Sequence, residues 1–396
     1  MRKRIFGFER NIFFLSLTSF LSDVSSEIIY PLVPIFLTSV LNAGTTFVGL
    51  VEGIAESTAS LLKLFSGWLS DKIRKRKILV VLGYTLSSIT RPLMAVAIAP
   101  WHVLALRFTD RIGKGIRNSP RDALIVDSCA LGERGRSFGF NRAMDHAGAM
   151  IGSLIVFILL FGVTKNLRLV FMLASIPALF AVVAVTLFTY EVISAKVSGN
   201  TMISRDTAVP DTLAISYGKK FKFFMLAILV FTLGNSSDAF LLLRAKNIGV
   251  GVTFIPLLWF LLHLVKSITS TPAGVISDKI GRRRIILLGW LIYAIVYFGF
   301  GFVKSLLQVW FLFAAYGLFY GLTEGVERAL VSDLVPQEEH GRAYGIYNFI
   351  IGITALPASL IMGVLWQAFG PKVAFLFGSV LALFASVVLA MFVKEV

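Results

Sequence analysis

At 396 residues, 57% of them hydrophobic, only 15% charged and 35 of them phenylalanine, the chain does not have the composition of a soluble globular protein. Its formal net charge of +16 could suit nucleic acid, but the basic residues crowd into short connections between apolar runs, which is the distribution of membrane topology and not of a nucleic-acid-binding face. A lone cysteine, Cys129, excludes an internal disulfide framework and offers no redox pair.

The basic start Met1-Arg2-Lys3-Arg4 precedes an apolar run without a convincing cleavage site, so a retained first span is expected and not a removed signal peptide. A helix needs roughly 20 apolar residues to cross the hydrocarbon core. That template gives about twelve candidate spans, numbered one to twelve: 11–38, 46–68, 78–98, 102–127, 137–161, 167–189, 222–243, 252–273, 284–303, 306–332, 342–367 and 372–393. Closed barrels are the other permitted spanning structure, but these runs are too long and lack alternation. The N-terminal arm (Arg2, Lys3, Arg4, Arg10) and the turn after span two (Lys72, Arg74, Lys75, Arg76, Lys77) are basic, whereas the 38–46 and 98–102 connections carry no charge. Both termini are therefore expected in the cytoplasm of a cell-membrane protein with an even number of spans. One connection is long and polar, holding Gly199, Asn200 and Pro210 and ending Lys219-Lys220-Phe221-Lys222. It divides the chain into an N-terminal six-helix bundle (1–190), a flexible cytoplasmic linker (191–221) and a C-terminal six-helix bundle (222–396).

The halves repeat. Gly67-Trp68-Leu69-Ser70-Asp71-Lys72-Ile73-Arg74-Lys75-Arg76-Lys77 has a near copy in Gly274-Val275-Ile276-Ser277-Asp278-Lys279-Ile280-Gly281-Arg282-Arg283-Arg284. Each copy joins two apolar runs through a tight turn. Asp71 and Asp278 close the last turns of their helices, where the helix dipole disfavours a carboxylate unless cations neutralise it, and cations follow at once. Phe20 with Ser25-Ser26-Glu27 matches Phe231 with Ser236-Ser237-Asp238, and Asp127 with Gly135, Arg136 and Gly139 matches Asp333 with Gly341, Arg342 and Gly345. Such repeats place a solute site between the halves near the bilayer midplane.

These residues resemble the major facilitator superfamily. Its signature between spans two and three, Gly-x-x-x-Asp-(Arg/Lys)-x-Gly-Arg-(Arg/Lys), is met in full by Gly274 to Arg283, while the first copy has Arg74 in place of glycine. Arg107-Phe108 with Gly113 and Gly115 is similar to the family's arginine opening span four, and Asp127 through Glu133-Arg134-Gly135-Arg136 to its acid-led motif after that span. The resemblance covers the whole chain. It implies an all-α membrane protein of twelve transmembrane helices in two pseudo-symmetric six-helix bundles that rock around a central cavity. It also implies a gate on the cytoplasmic side: Asp71 with Lys72, Arg74 and Lys75 against Asp127, and Asp278 with Lys279 and Arg282 against Asp333. The family's antiporter signature in span five ends Gly-Pro-x-x-Gly-Gly. The matching place here reads Gly148-Ala149-Met150-Ile151-Gly152-Ser153, without proline, which weakens a drug–proton antiport assignment.

Charges inside the spans are the remaining signal. A charge at mid-bilayer costs ~2.5–3.5 kcal/mol on insertion scales, so it faces a partner or a wet cavity. Span four carries Arg107, Asp110, Arg111, Lys114, Arg117, Arg121 and Asp122, its bases within one broad helical face. Arg117 and Arg121, with Glu327 and Arg328 in span ten, are read as a cross-bundle salt-bridge network in which Arg121 aligns with Glu327; span ten also carries Glu324. Arg111 and Lys114 lie deeper, where they would meet an anionic group of the solute or a titrating acid. Glu27 and Asp238 occupy matching places, and Asp23 lies one turn before Glu27, an arrangement suited to a proton or a cation. Glu56 in span two and His263 and Lys266 in span eight join the same set. Span five adds Asp145 and His146 as a proton-relay pair. Gly113-x-Gly115 is not a phosphate loop, the four histidines lack metal-ligand spacing, and no nucleophile–base pair stands out.

The expectation is a monomeric secondary transporter in a lipid bilayer, without cofactor, driven by a proton or ion gradient and not an enzyme. It would move a small organic solute by alternating access, with efflux favoured over proton-coupled uptake of an organic anion. A non-transporting receptor that kept the transporter fold is the third reading.

Overall fold

A chain crossing hydrocarbon finds no water for its backbone groups and must close its hydrogen bonds within each segment. The computed structural model describes residues 4–73, 75–129, 134–192, 218–336 and 339–393, and nearly all of them are helical. Spans one to six are Arg10–Val40, Thr45–Ile73, Arg76–Ala95, Pro100–Ser128, Arg134–Ile158 (prolonged by the wide turn Leu159–Val163) and Leu167–Phe188. Spans seven to twelve are Lys219–Ile248, Val252–Ile280, Arg282–Phe302, Leu306–Asp333, His340–Phe369 and Pro371–Phe392. Ten of these helices are long and apolar enough to cross a membrane by composition alone. Spans two and four are the exceptions, because they carry the charges of the site.

Local chemistry sets the boundaries. Proline, whose missing N–H costs nothing in a first turn, opens spans four and twelve at Pro100 and Pro371. Ser305 and Gln308 form a capping box at the start of span ten. Spans eight and nine are joined by Gly281 alone, at φ +101°, a conformation glycine reaches without a Cβ clash. Among the departures from the continuous helices expected from hydropathy, two lie beside the central cavity. In span one, Tyr30–Leu32 tightens to a 3₁₀ turn where Pro31 and Pro34 remove backbone donors. Span seven breaks between Gly234 and Ala239. There Asn235-Ser236-Ser237-Asp238 supplies side chains that compete with the helix for backbone partners, and the Ser237 hydroxyl accepts from the Ala239 N–H (3.3 Å). The N-terminal arm, expected only as a basic segment ahead of span one, forms a two-stranded antiparallel hairpin, β1 (Arg4–Ile5) and β2 (Phe8–Glu9). It turns through Phe6 and Gly7, both at positive φ.

Helix packing repeats between the halves. Span one lies on five and six, two on four, three on four and six. Span seven correspondingly lies on eleven and twelve, eight on ten, nine on ten and twelve. Two seams join the bundles: span two against eleven, and five against eight. The first is an intimate backbone contact on the side away from the basic turns. A Cβ on Gly49 would meet the Ser359 carbonyl oxygen at 2.2 Å and one on Gly363 the Thr45 oxygen at 2.6 Å. Ser57 donates to the Gly352 carbonyl (2.6 Å) and Thr45 to that of Gly363 (3.2 Å). On the same side Lys165 reaches Thr253 (3.2 Å) and Lys246 reaches Ser39. Toward the basic turns the halves part, and Lys63, Arg328 and Asn348 line the opening.

Candidate functional site

Between the halves lies a cavity of about 370 Å³ whose lining includes Asp23, Glu27, Glu56, Lys114, Asp238 and Glu324. A second hollow of about 410 Å³ shares Tyr30, Glu56, Asp238 and Glu324 with it and extends toward the basic turns. The side chains of Glu56 and Glu324 are 46% and 47% exposed although both sit mid-helix, so the space communicates with solvent.

Span four supplies one wall. Its three- and four-residue spacing keeps Arg107, Asp110, Arg111, Lys114, Arg117 and Arg121 on one side of the helix. The partners of this row come mostly from its own half. Arg107 donates to both oxygens of Glu52 (2.7 and 2.9 Å) and stacks over Tyr30 (5.4 Å). Asp110 accepts from Arg91 (3.0 Å), and Arg111 pairs with Glu56 (3.0 Å). Arg117 lies over the Tyr84 ring (4.4 Å) and donates to Ser22 (3.3 Å). Arg121 donates to Ser19 and pairs with Asp122 (2.9 Å) and Asp145 (3.9 Å). Lys114 has no ion-pair partner among the described residues.

The second half supplies the other wall. The break in span seven carries Asp238, which accepts hydrogen bonds from Tyr316 (2.6 Å) and Tyr320 (3.3 Å) and pairs with no cation among the described residues. Lys266 pairs with Glu324 (2.6 Å) and lies over the Tyr320 ring (4.9 Å). Trp259 bridges the halves: its indole N–H donates to Glu27 (2.6 Å) and its ring lies 5.0 Å from that of Tyr30.

Eight of the eleven expected site residues therefore share the cavity lining: Asp23, Glu27, Glu56, Arg111, Lys114, Asp238, Lys266 and Glu324. Asp145, His146 and His263 are not among its lining residues. The expected Asp145–His146 relay does not form, because adjacent helical residues do not face each other, and Asp145 turns instead to Arg121 and Arg142 (3.7 Å). His263 lies edge-on to Trp259 (5.1 Å), with neither ring nitrogen hydrogen-bonded. The expected cross-bundle network of Arg117, Arg121, Glu327 and Arg328 is not formed among the described residues either. The halves are apart at that depth, and Glu327 accepts instead from Trp290 and Tyr347 (both 2.8 Å) in its own half.

At the basic turns, Asp127 is met by Arg76, the first residue of span three. The side chains of Asp71 and Arg74 lie outside the described residues. In the second copy Arg282 contacts Asp333 and also Asp278 (3.2 Å), as the repeat implies, while Lys279 is exposed. Sequence reasoning missed the aromatic donors Trp259, Tyr316 and Tyr320. In a chain this rich in aromatic residues only the four-residue spacing of the two tyrosines could have marked them.

Two six-helix bundles around a charged hollow are the architecture of a secondary transporter. A family model, the Major Facilitator Superfamily, matches residues 15–262 and 223–396. An uncharacterized MFS-type transporter of Methanocaldococcus jannaschii is 36% identical over 386 residues, 96% of this chain and 94% of that protein. The chain belongs to the Major Facilitator Superfamily. The multidrug resistance protein MdtH of Yersinia enterocolitica is similar over a shorter stretch, 30% identical over 143 residues, 36% of this chain and 35% of that one. Among solved structures, the nucleoside transporter NupG aligns with a TM-score of 0.81 at 11% identity, covering 97% of this chain and 100% of its own. Identity so low shows a shared fold alone.

Proposed function

We propose that this chain is a proton-coupled exporter of a small charged organic solute in the cell membrane, with both termini in the cytoplasm. One observation carries the coupling. Of the carboxylates in and behind the cavity lining, Glu52, Glu56, Asp110 and Glu324 hold a basic partner, whereas Asp23, Glu27 and Asp238 hold none among the described residues, and of these three Asp238 is held by two tyrosine hydroxyls. A carboxylate paired with arginine is neutralised in place. One without a cation, in a site that solvent enters from one side at a time, is neutralised by a proton taken on one side and given up on the other.

Vesicles containing the purified protein, loaded with a pH dye and given an imposed pH gradient, test this. Asp23→Asn and Glu27→Gln are expected to cut gradient-driven solute accumulation at least about tenfold, while solute exchange at equal pH continues. Gradient-driven accumulation unchanged in both variants would sink the coupling. Export as the direction is supported by the local likeness to a multidrug resistance protein. Uptake of an organic anion with protons is the second reading, favoured by the unpartnered Lys114, and vesicles of defined orientation separate the two.

The basic turns are the proposed gate. Arg282 and Asp333 are 27% and 36% exposed, so their pair contributes at most about 1 kcal/mol to stability. Arg282→Ala is thus expected to leave the melting temperature nearly unchanged while altering the transport rate several-fold. A variant that melts early and transports normally would assign the pair to structure only.

A further inference from the structure

The cavity's ion pairs leave a residue that differs in sign between the halves. In the first half Arg91 is matched by Asp110, Arg107 by Glu52 and Arg111 by Glu56, and Arg117 rests on the face of Tyr84. Lys114 is left over. In the second half Lys266 is matched by Glu324, and Asp238 is left over. Asp23 and Glu27, the acids assigned above to the coupling proton, stand on span one, and Glu27 is occupied by the Trp259 indole (2.6 Å). One ammonium and one carboxylate thus line a single cavity from opposite halves, each without an ionic partner in its own half.

The surroundings of Asp238 are those of a site for an organic ammonium. Its oxygens are oriented by two phenol donors, Tyr316 and Tyr320, which fix the carboxylate without cancelling its charge. The rings of Tyr320 and Tyr30 line the adjoining hollow, and Tyr30 and Trp259 line the cavity beside it. Both tyrosine rings already carry a cation, Lys266 over Tyr320 (4.9 Å) and Arg107 over Tyr30 (5.4 Å), so the attraction for an ammonium comes from the carboxylate and not from these rings. Around Lys114 the cavity lining holds Arg111, already matched by Glu56, and Arg117 from span four, together with Asp23 and Glu27 from span one, the two acids assigned above to the proton.

Resting on the carrier reading of this cavity, we propose that its solute is a small zwitterion, the anionic group on Lys114 and the ammonium on Asp238. A plain anion would leave Asp238 without a counter-charge, and a plain amine would leave Lys114 without one. A zwitterion satisfies both at once. It also touches both bundles, so its binding bears on the interface that must reorganise during transport. At about 370 Å³, the space holds roughly a dozen waters, which suits a solute of amino-acid size, and the adjoining hollow of about 410 Å³ leaves room for a longer one.

The experiment uses the full chain in lipid nanodiscs and matched probes: ω-amino carboxylates of graded length and α-amino acids, each compared with the carboxylate lacking the amine and the amine lacking the carboxylate. Binding is read as the shift in melting temperature and by calorimetry. The best zwitterion is expected to bind at least about tenfold more tightly than either single-charge analogue. Lys114→Gln should erase its advantage over the amine, and Asp238→Asn its advantage over the carboxylate, with Lys114→Arg and Asp238→Glu retaining part of each. The comparison in the unaltered protein needs no variant to fold. Equal binding of the zwitterion and one single-charge analogue would overturn the proposal, as would an advantage insensitive to both substitutions. If instead a plain anion or a lipophilic cation binds and is transported, the zwitterion is wrong and the carrier reading stands. If no solute moves under any gradient, the carrier reading itself fails.

Discussion

Replacing Glu52 by glutamine is expected to destabilise the folded protein by about 3 kcal/mol, read as a large drop in melting temperature in detergent or nanodiscs. The side chain of Glu52 is 1% exposed and that of Arg107 4%, and one guanidinium nitrogen of Arg107 contacts both Glu52 oxygens. Removing the charge strands a guanidinium in a low-dielectric interior, and breaking a buried pair from one side costs about 3–5 kcal/mol. The lower end applies here because Arg107 keeps a distant second acid, Asp110 at 4.0 Å. The cost belongs to the orphaned charge and not to a missing contact. The double variant Glu52→Leu with Arg107→Met should therefore recover most of the loss, since apolar replacement of both partners is close to neutral. A single-variant loss below about 1 kcal/mol, or a double variant worse than the single, would show that Arg107 does not depend on Glu52 for its buried counter-charge.

Why the pair escapes a reading of the chain is instructive. Composition and run length place twelve spans and divide them into two halves, because hydrocarbon thickness fixes helix length whatever the neighbours. Helical spacing likewise puts the charges of span four on one side. Which acid meets which base depends on which helices are adjacent, and span two must first be known to lie on span four before Glu52 can be given to Arg107. Spans two and four are also the two that fall short as membrane helices by composition, because the charges that line the site sit on them. The break in span seven had a local signature in Gly234-Asn235-Ser236-Ser237, residues that favour turns and caps. A long apolar run on either side conceals it. The aromatic donors to Glu27, Asp238 and Glu327 carry no signal of their own, since a phenol or indole looks the same in sequence whether it faces lipid or a carboxylate.

Gly49→Leu is expected to prevent the two bundles from meeting on the side away from the basic turns and to reduce transport at least about tenfold. Any side chain at this position must occupy space held by backbone: a Cβ alone would stand 2.2 Å from the Ser359 carbonyl oxygen and 3.0 Å from its carbon. No rotamer change relieves a clash with a main chain, so spans two and eleven must separate. Gly53 and Gly363 report the same seam, with Cβ positions 2.9 Å from the Leu356 Cα and 2.6 Å from the Thr45 oxygen. The strain exists only while the seam is shut. Overpacking costs of about 1–3 kcal/mol therefore fall on one conformation and shift the equilibrium about 5- to 150-fold toward the other. Spin labels in a Cys129→Ser background make this visible. One pair at Asn42→Cys and Lys372→Cys spans the closed side, and another at Lys75→Cys and Arg342→Cys spans the side of the basic turns. In the Gly49 variant the first distance should lengthen and the second shorten, with the melting temperature little changed because each bundle keeps its own packing. Unchanged distances on both sides would mean that the seam yields locally, and that span two against span eleven is not the contact on which access turns.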